Sequence, residues 1–272
     1  MSLSILTLNL WHDLGPWEAR AKRIREWIDR LDPDLIGFQE ALRSRAYDQV
    51  AELLAGREYH LDYARASGLW RDKSIDFGNA VAARWPIRER EELMLPDGDD
   101  GETRSALAVT LDTPLGPLSF TCTHLNWKYQ QGAIRELQVV AVCDLALRRR
   151  PRDGFPSILV GDFNAEPDSN EIRYVTGLHS LHGRNVYFHD AWRRVGQGGC
   201  GDTWSNRNPY ARVNLEPERR IDYVFAGFPQ RNGIGLLESC RVVCDDEHDG
   251  VWPSDHFGVY AELRTEPIPG LG

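Results

Sequence analysis

No run in this 272-residue chain approaches the roughly 20 consecutive apolar residues that a membrane-crossing helix needs, so no spanning segment is expected. The opening residues Met1-Ser2-Leu3-Ser4-Ile5-Leu6-Thr7-Leu8-Asn9 have neither a basic n-region nor a long apolar h-region. They read as a strand, not as a secretion signal. Cysteine is scarce: Cys122, Cys143, Cys200, Cys240 and Cys244 are odd in number and show no zinc-finger or C-x-x-C spacing. Free thiols in a reducing compartment, the cytoplasm, are the expectation, with a Cys240–Cys244 bridge as an open alternative. Cationic charge is in deficit as well, the formal net charge being −9. Proteins that hold long nucleic acid gain most of their non-specific affinity by neutralising phosphates, so this balance argues against a polynucleotide substrate, although a local basic groove stays compatible with it. There is no short-period internal repeat and no low-complexity segment. The glycine-rich stretch 196–201 lacks the Gly-Lys-Ser/Thr ending of a phosphate-binding loop and reads as a connector. His179 and His182 have no Cys or Asp partner motif and read as a surface loop. Composition is silent on oligomeric state.

What is present suits one large domain over residues 1–272. Strand-like runs alternate with two strong helical stretches. Residues 3–9 read as strand; from Glu18 to Leu31, Ala21, Ile24, Trp27, Ile28 and Leu31 recur at helical spacing until Asp32-Pro33 stops them. Residues 34–39 read as a buried strand, followed by a helix over Ala41–Ala55. A second amphipathic helix is expected over about Ala133–Arg148, with strands at 105–112, 117–124, 157–161, 220–226, 239–244 and 257–263. Many strands with few helices between them suggest two packed sheets with helices outside. Three long polar loops remain, roughly 90–104, 193–219 and 245–256, and loops of that length are functional or mobile.

Apolar strands repeatedly run out into an amide, an acid or a histidine: Leu8-Asn9, Gln39-Glu40, Thr123-His124, Gly161-Asp162-Phe163-Asn164, Ile221-Asp222 and Ser254-Asp255-His256. A carboxylate at the mouth of a buried strand is costly unless it is paired or binds a metal. Six such ends gathered at one edge would make a deep polar cleft, and oxygen donors without thiols favour a hard cation, Mg²⁺ or Mn²⁺. Each residue also has a plainer reading. Asn9 can cap a turn, Glu40 can cap the following helix, and Asp162 with Asn164 can form an Asx-turn. Asp222 can pair with Arg219 or Arg220, His124 can sit hydrogen-bonded in the core, and Asp255-His256 can be a turn.

In this order, with an intervening helix after the first and third, these residues resemble the endonuclease/exonuclease/phosphatase superfamily from Leu6 to about Leu263. The resemblance implies the deoxyribonuclease I-like fold: an α/β four-layer sandwich of two mainly antiparallel or mixed sheets flanked by helices. It implies a metal site of Asn9 and Glu40, with Glu40 the main ligand and Asp255 a further or outer one. Asp162 would orient or deprotonate the attacking water, Asn164 would donate to the phosphoryl oxygens, and His124 and His256 would flank the phosphate. Asp222 would orient His256, and Arg104 would bind phosphate.

The expected activity is Mg²⁺-dependent hydrolysis, with Mn²⁺ as substitute, of a small-molecule or lipid-like phosphoester. A nuclease or DNA-end processing enzyme is the alternative, and a non-catalytic binding module comes third. The acidic stretches Asp97–Glu102 and Asp245–Asp249 are expected near the mouth, where they would repel a polyanion. Arg207, Arg212, Arg219 and Arg220 are candidates for an opposing rim.

Overall fold

The computed structural model describes residues 2–98, 101–152 and 154–271. Its strands are β1 (Ser2–Asn9), β2 (Leu35–Arg43), β3 (His60–Leu69), β4 (Asp72–Ala83), β5 (Ile87–Met94), β6 (Ser105–Thr113), β7 (Gly116–His124), β8 (Ile158–Asp162), β9 (His189–Asp190), β10 (Asp222–Ala226), β11 (Leu237–Val243) and β12 (Gly258–Arg264). They form two six-stranded sheets, one ordered β11-β12-β1-β2-β4-β3 and the other β5-β6-β7-β8-β10-β9.

Each sheet has one parallel pair at its centre, β1 with β2 and β7 with β8, and is otherwise antiparallel. A parallel pair needs a crossover, and here each crossover is a helix: α1 (Trp17–Leu31) in the first sheet and α3 (Gly132–Arg148) in the second. The C-terminal ends of β1, β7 and β8 carry Asn9, His124 and Asp162, and Glu40 sits within β2 where its register against β4 shifts, so the two equivalent parallel pairs account for four of the site residues.

Between the sheets lies a core that includes Ile5, Leu35, Val109, Phe120, Val160 and Val224. The outer face of the first sheet packs on α1 through Ala21, Ile24, Trp27, Ile28 and Leu31, the periodic stripe expected from sequence. The outer face of the second packs on α3. The result is the four-layer sandwich. At Gly37 the sheets approach so closely that a Cβ would stand 2.5 Å from Val160 Cγ2. Beside it, Gln39 Nε2 donates to Thr7 Oγ1 (3.1 Å) and to Cys122 Sγ (3.1 Å), tying the two sheets just below the site.

Several expectations change. No helix covers Ala41–Ala55: β2 runs on to Arg43, and α2 is only Gln49–Leu53, capped by the Asp48 side chain. The pairing of β2 with β4 continues past Glu40, and that cross-strand pairing overrides local helix preference. The loop at 90–104 starts later, because β5 occupies residues up to Met94, and of its acidic stretch Asp99 and Asp100 lie outside the described residues. After α4 (Asn170–Val175), the end of α5 (Ala191–Val195) takes up the start of the expected loop at 193–219, which also contains a short helix, α6 (Pro209–Arg212). All five cysteines are free. Among the described residues no helix is long and apolar enough to cross a membrane.

Candidate active site

Glu40 owes its position to a backbone irregularity. The register of β2 against β4 shifts between Phe38 and Ala41, and Glu40 has φ 58°, the left-handed region that non-glycine residues rarely enter. A bulge re-aims a side chain that the regular pleat would hold elsewhere, and the Glu40 carboxylate lines a cleft of about 570 Å³. Asp255, Arg104, His12, Trp11 and Trp204 line the same cleft. His12 Nε2 lies 2.8 Å from Glu40 Oε2, and the His12 ring stacks on Phe77 at 4.8 Å. Burial opposes ionisation of Glu40, but the imidazole beside it prevails and holds the carboxyl well below its usual range. Asp255 is pushed up to about 6 by burial and by repulsion from Glu40, although His256 and Arg20 pull it down.

A second group sits deeper, at the ends of β7, β8 and β10. Asp162 Oδ2 accepts from Asn9 Nδ2 (3.0 Å) and lies 3.4 Å from His124 Nε2 and 3.7 Å from His256 Nε2. Its Oδ1 accepts from the Asn164 backbone N–H (2.9 Å), so the Asx-turn is formed alongside these contacts, with Asn164 at φ 48°. Burial and the nearby Asp222 charge push Asp162 up to about 7. His256 Nδ1 donates to Asp222 Oδ2 (2.9 Å). Burial works against a charged His256, yet Asp222 and Asp162 outweigh it and raise the imidazole well above its ordinary value.

His124 goes the other way: burial and then Arg104 lower it well below the ordinary value. Arg104 Nη1 lies 3.0 Å from His124 Nδ1 and can only donate there, so the neutral ring carries its proton on Nε2. The Asn164 amide nitrogen donates to the Leu125 carbonyl (3.2 Å); it lies 3.1 Å from that Nε2 but is itself a donor, so the acceptor facing Nε2–H is Asp162 Oδ2 at 3.4 Å.

The candidate residues fall in one region, but only Glu40, Arg104 and Asp255 line the cleft, whereas His124, Asp162, Asn164, Asp222 and His256 are buried beside it. Asn9 is fully buried and does not line the cleft; its amide spans the Trp11 N–H (2.9 Å) and Asp162. Arg104 is engaged by Glu102 through Nε (3.1 Å) and Nη2 (2.7 Å) as well as by His124. Asp222 pairs with neither Arg219 nor Arg220: Arg219 pairs with Glu216 and Arg220 grips Asp190. Both arginines are buried, so they form no phosphate rim. Nor do residues 245–249 line the cleft. Asp246 is fastened to α1 by Arg23 (2.7 Å) and Trp27 Nε1 (2.9 Å), and Asp245 faces Arg207.

Sequence reasoning passed over Arg20. Its side chain is fully buried and donates to the carbonyls of Leu10, Trp11, His12, Leu14 and Pro253. Five acceptors converging on one guanidinium fix the loop after β1 against the segment before Asp255, although burial pulls its pKa down to about 10. Arg20→Met leaves these carbonyls unpaired and should cost about 3 kcal/mol or more, measured as a lower midpoint in urea unfolding. Its only sequence signal is a polar residue one place before the apolar stripe of α1.

A metal could be held in two places. Ligand atoms of Asp162, Asp222 and His256 lie within 4.8 Å of one another. The 2.9 Å hydrogen bond between Asp222 and His256 already uses facing atoms there, so an ion would have to break it. Glu40 and Asp255 instead present two mutually repelling carboxylates to an open cleft without thiols, a donor set that fits a hard divalent cation.

Residues 6–256 match the model of the Endonuclease/Exonuclease/phosphatase family. A curated relative, Carbon catabolite repressor protein 4 homolog 3 of Arabidopsis thaliana, is 26% identical over 191 residues, 69% of this chain. The match spans only 41% of that relative. Among solved structures, an endonuclease/exonuclease/phosphatase from Beutenbergia cavernae superposes with a TM-score of 0.75 at 26% identity, covering 97% of this chain and 71% of that one. TDP2 of D. rerio, solved with a single-strand DNA product, gives 0.77 at 22% identity, over 97% of this chain and 99% of that one. The human Nocturnin catalytic domain with bound sulfate gives 0.72 at 18% identity, over 97% and 94%. The last two likenesses concern the fold alone.

Proposed function

The chain belongs to the endonuclease/exonuclease/phosphatase family, whose members hydrolyse phosphoester bonds with divalent metals, and from that premise we propose that it cleaves a small-molecule or lipid-like phosphoester at Glu40. Glu40 would be the principal ligand and Asp255 the second, while Asn9 holds the Asp162 carboxylate by its amide. A divalent ion held there, Mg²⁺ with Mn²⁺ as substitute, would supply Lewis acidity and a template for the reaction. Asp162, with its carboxyl near 7, takes the proton from the attacking water, since a base poised near ambient pH is the most effective. His256, kept as an imidazolium by Asp222, and the neutral Nε2–H of His124 donate to the phosphoryl oxygens. Asn164 adds an uncharged donor, and Arg104 contributes charge behind His124.

The observation that supports a small substrate is the cleft itself. Its volume of about 570 Å³ suits a small molecule, and Glu40, Glu102, Glu216 and Asp255 outnumber Lys73, Arg104 and Lys128 along its walls. A nuclease needs a run of cations, with affinity falling by roughly one power of salt per neutralised phosphate. A Mg²⁺-dependent panel of p-nitrophenyl phosphate, its phosphodiester, a sphingomyelin and supercoiled plasmid is the test. Turnover of a small or lipid-type ester with weak salt dependence is expected, and slow cutting of duplex DNA. Salt-sensitive nicking of plasmid at nanomolar enzyme would instead establish the nuclease reading.

A further inference from the structure

The chain has nine tryptophans, and most are packed or paired, as Trp11 is on Tyr210 (4.9 Å), Trp204 against His256 (5.0 Å) and Trp252 on Phe257 (5.7 Å). Trp70 and Trp127 are different. They are 71% and 50% exposed, and among the described residues neither indole has a ring or hydrogen-bond partner. Both line the cleft that holds Glu40, and they come from opposite sides of the fold. Trp70 sits in the turn between β3 and β4 of one sheet, and Trp127 lies three residues beyond His124 of the other. Lysine is rarer still: of three in the chain, Lys73 and Lys128 line this same cleft. Lys128 faces Glu102 (3.5 Å), whereas Lys73 Nζ donates to the Gly68 carbonyl (3.2 Å) and makes no ion pair among the described residues.

Isolated exposed apolar residues are ordinary, but two open indoles and an unneutralised ammonium in one cleft are a recognition surface. We propose that Trp70 and Trp127 form a subsite for a flat aromatic group carried by the substrate, and that Lys73 receives a second anionic group of the same molecule. This rests on the reading above, which puts the reacting phosphate at Glu40. Indoles offer broad π-faces to a ring and gain less from a flexible acyl chain. The exposed aliphatic residues nearby, Val213 and Leu215, are not among those lining the cleft. The aromatic group is either a nucleobase or a simple aryl ring, two sources of one chemistry.

The test is calorimetric titration of the full chain in EDTA, where metal-dependent turnover is silent, with AMP, phenyl phosphate and glycerol phosphate. Both aromatic ligands should bind about tenfold more tightly than glycerol phosphate. Trp70→Leu and Trp127→Leu should each lose about five- to tenfold of that preference, while Trp70→Phe keeps most of it. Preference for AMP over phenyl phosphate identifies a nucleobase, and parity identifies a general aryl site. ADP should bind more tightly than AMP to the native chain but not to Lys73→Ala. Phe228→Ala, an exposed aromatic outside the cleft, serves as the unchanged control. Equal binding of glycerol phosphate, undetectable binding of the aromatic ligands at millimolar concentration, or full rescue by leucine overturns the subsite; rescue by leucine would point to lipid. Because binding is read without turnover, a chain that shows this ranking but hydrolyses no phosphoester would sink the catalytic reading and leave the subsite standing.

Discussion

Chelation with EDTA should abolish hydrolysis, and Mg²⁺ or Mn²⁺ should restore it; Glu40→Gln should lose most activity even at saturating metal. The bulge in β2 delivers a single carboxylate, kept ionised, to the cleft that Asp255 also lines. Glutamine retains the shape and one oxygen donor but removes the charge on which affinity for a hard cation depends. The variant should melt close to the native chain, because the His12–Glu40 pair is near the surface of the cleft and not in the core. Titration of Mn²⁺ by calorimetry should show weakened binding. Restoration by Zn²⁺ alone, with Mg²⁺ inert, contradicts an oxygen-ligand site.

His256→Ala or Asp162→Asn should lower kcat by about 10²-fold or more with little change in KM, since each removes a group that acts mainly in the transition state. Asp162 Oδ2 is the point on which Asn9, His124 and His256 converge. Asparagine there keeps one acceptor oxygen of the two, so it loses either the Asn9 or the Asn164 hydrogen bond and cannot take a proton. Asp222→Asn should give a milder version of the His256 defect, because the 2.9 Å contact survives while the charge that keeps the imidazole protonated does not. Steady-state kinetics on whichever phosphoester the panel identifies provides the check. Near-native kcat in His256→Ala would remove that residue from the proposed machinery.

Much of this is legible in the sequence. The strand-end pattern Asn9, Glu40, His124 and Asp162 is legible because each polar residue follows an apolar run, whereas Asp222 opens the apolar run of β10; α1 and α3 announce themselves by apolar spacing. Three kinds of information were hidden. Strands β3 to β5 are rich in charged and small residues, and their pairing depends on neighbours far along the chain. The helix expected after Glu40 failed because a bulge lets the strand continue where local preference favours a turn of helix. The loops misled by charge: Asp246 and Arg220 look free in sequence, yet each is tied by a partner that is distant in the chain. The same holds for His12, whose neighbour Glu40 comes from a separate strand.

The position of β1 in its sheet also sets a timetable for synthesis. This strand is finished early, but one of its two neighbours is β12, with Ser2 paired to Arg264 and Thr7 to Val259. Such non-local pairing is slow, because loop closure must be achieved before any contact rewards it. Until residues 258–264 have left the ribosome, β1 presents an open hydrogen-bonding edge in the middle of the future sheet, a surface prone to mispairing with other chains. The second sheet carries no such debt, because its last strand in sequence, β10, ends at Ala226. The nascent chain should therefore reach a half-built state in which His124 and Asp162 already lie on a formed sheet while Asp255 and His256 have yet to arrive.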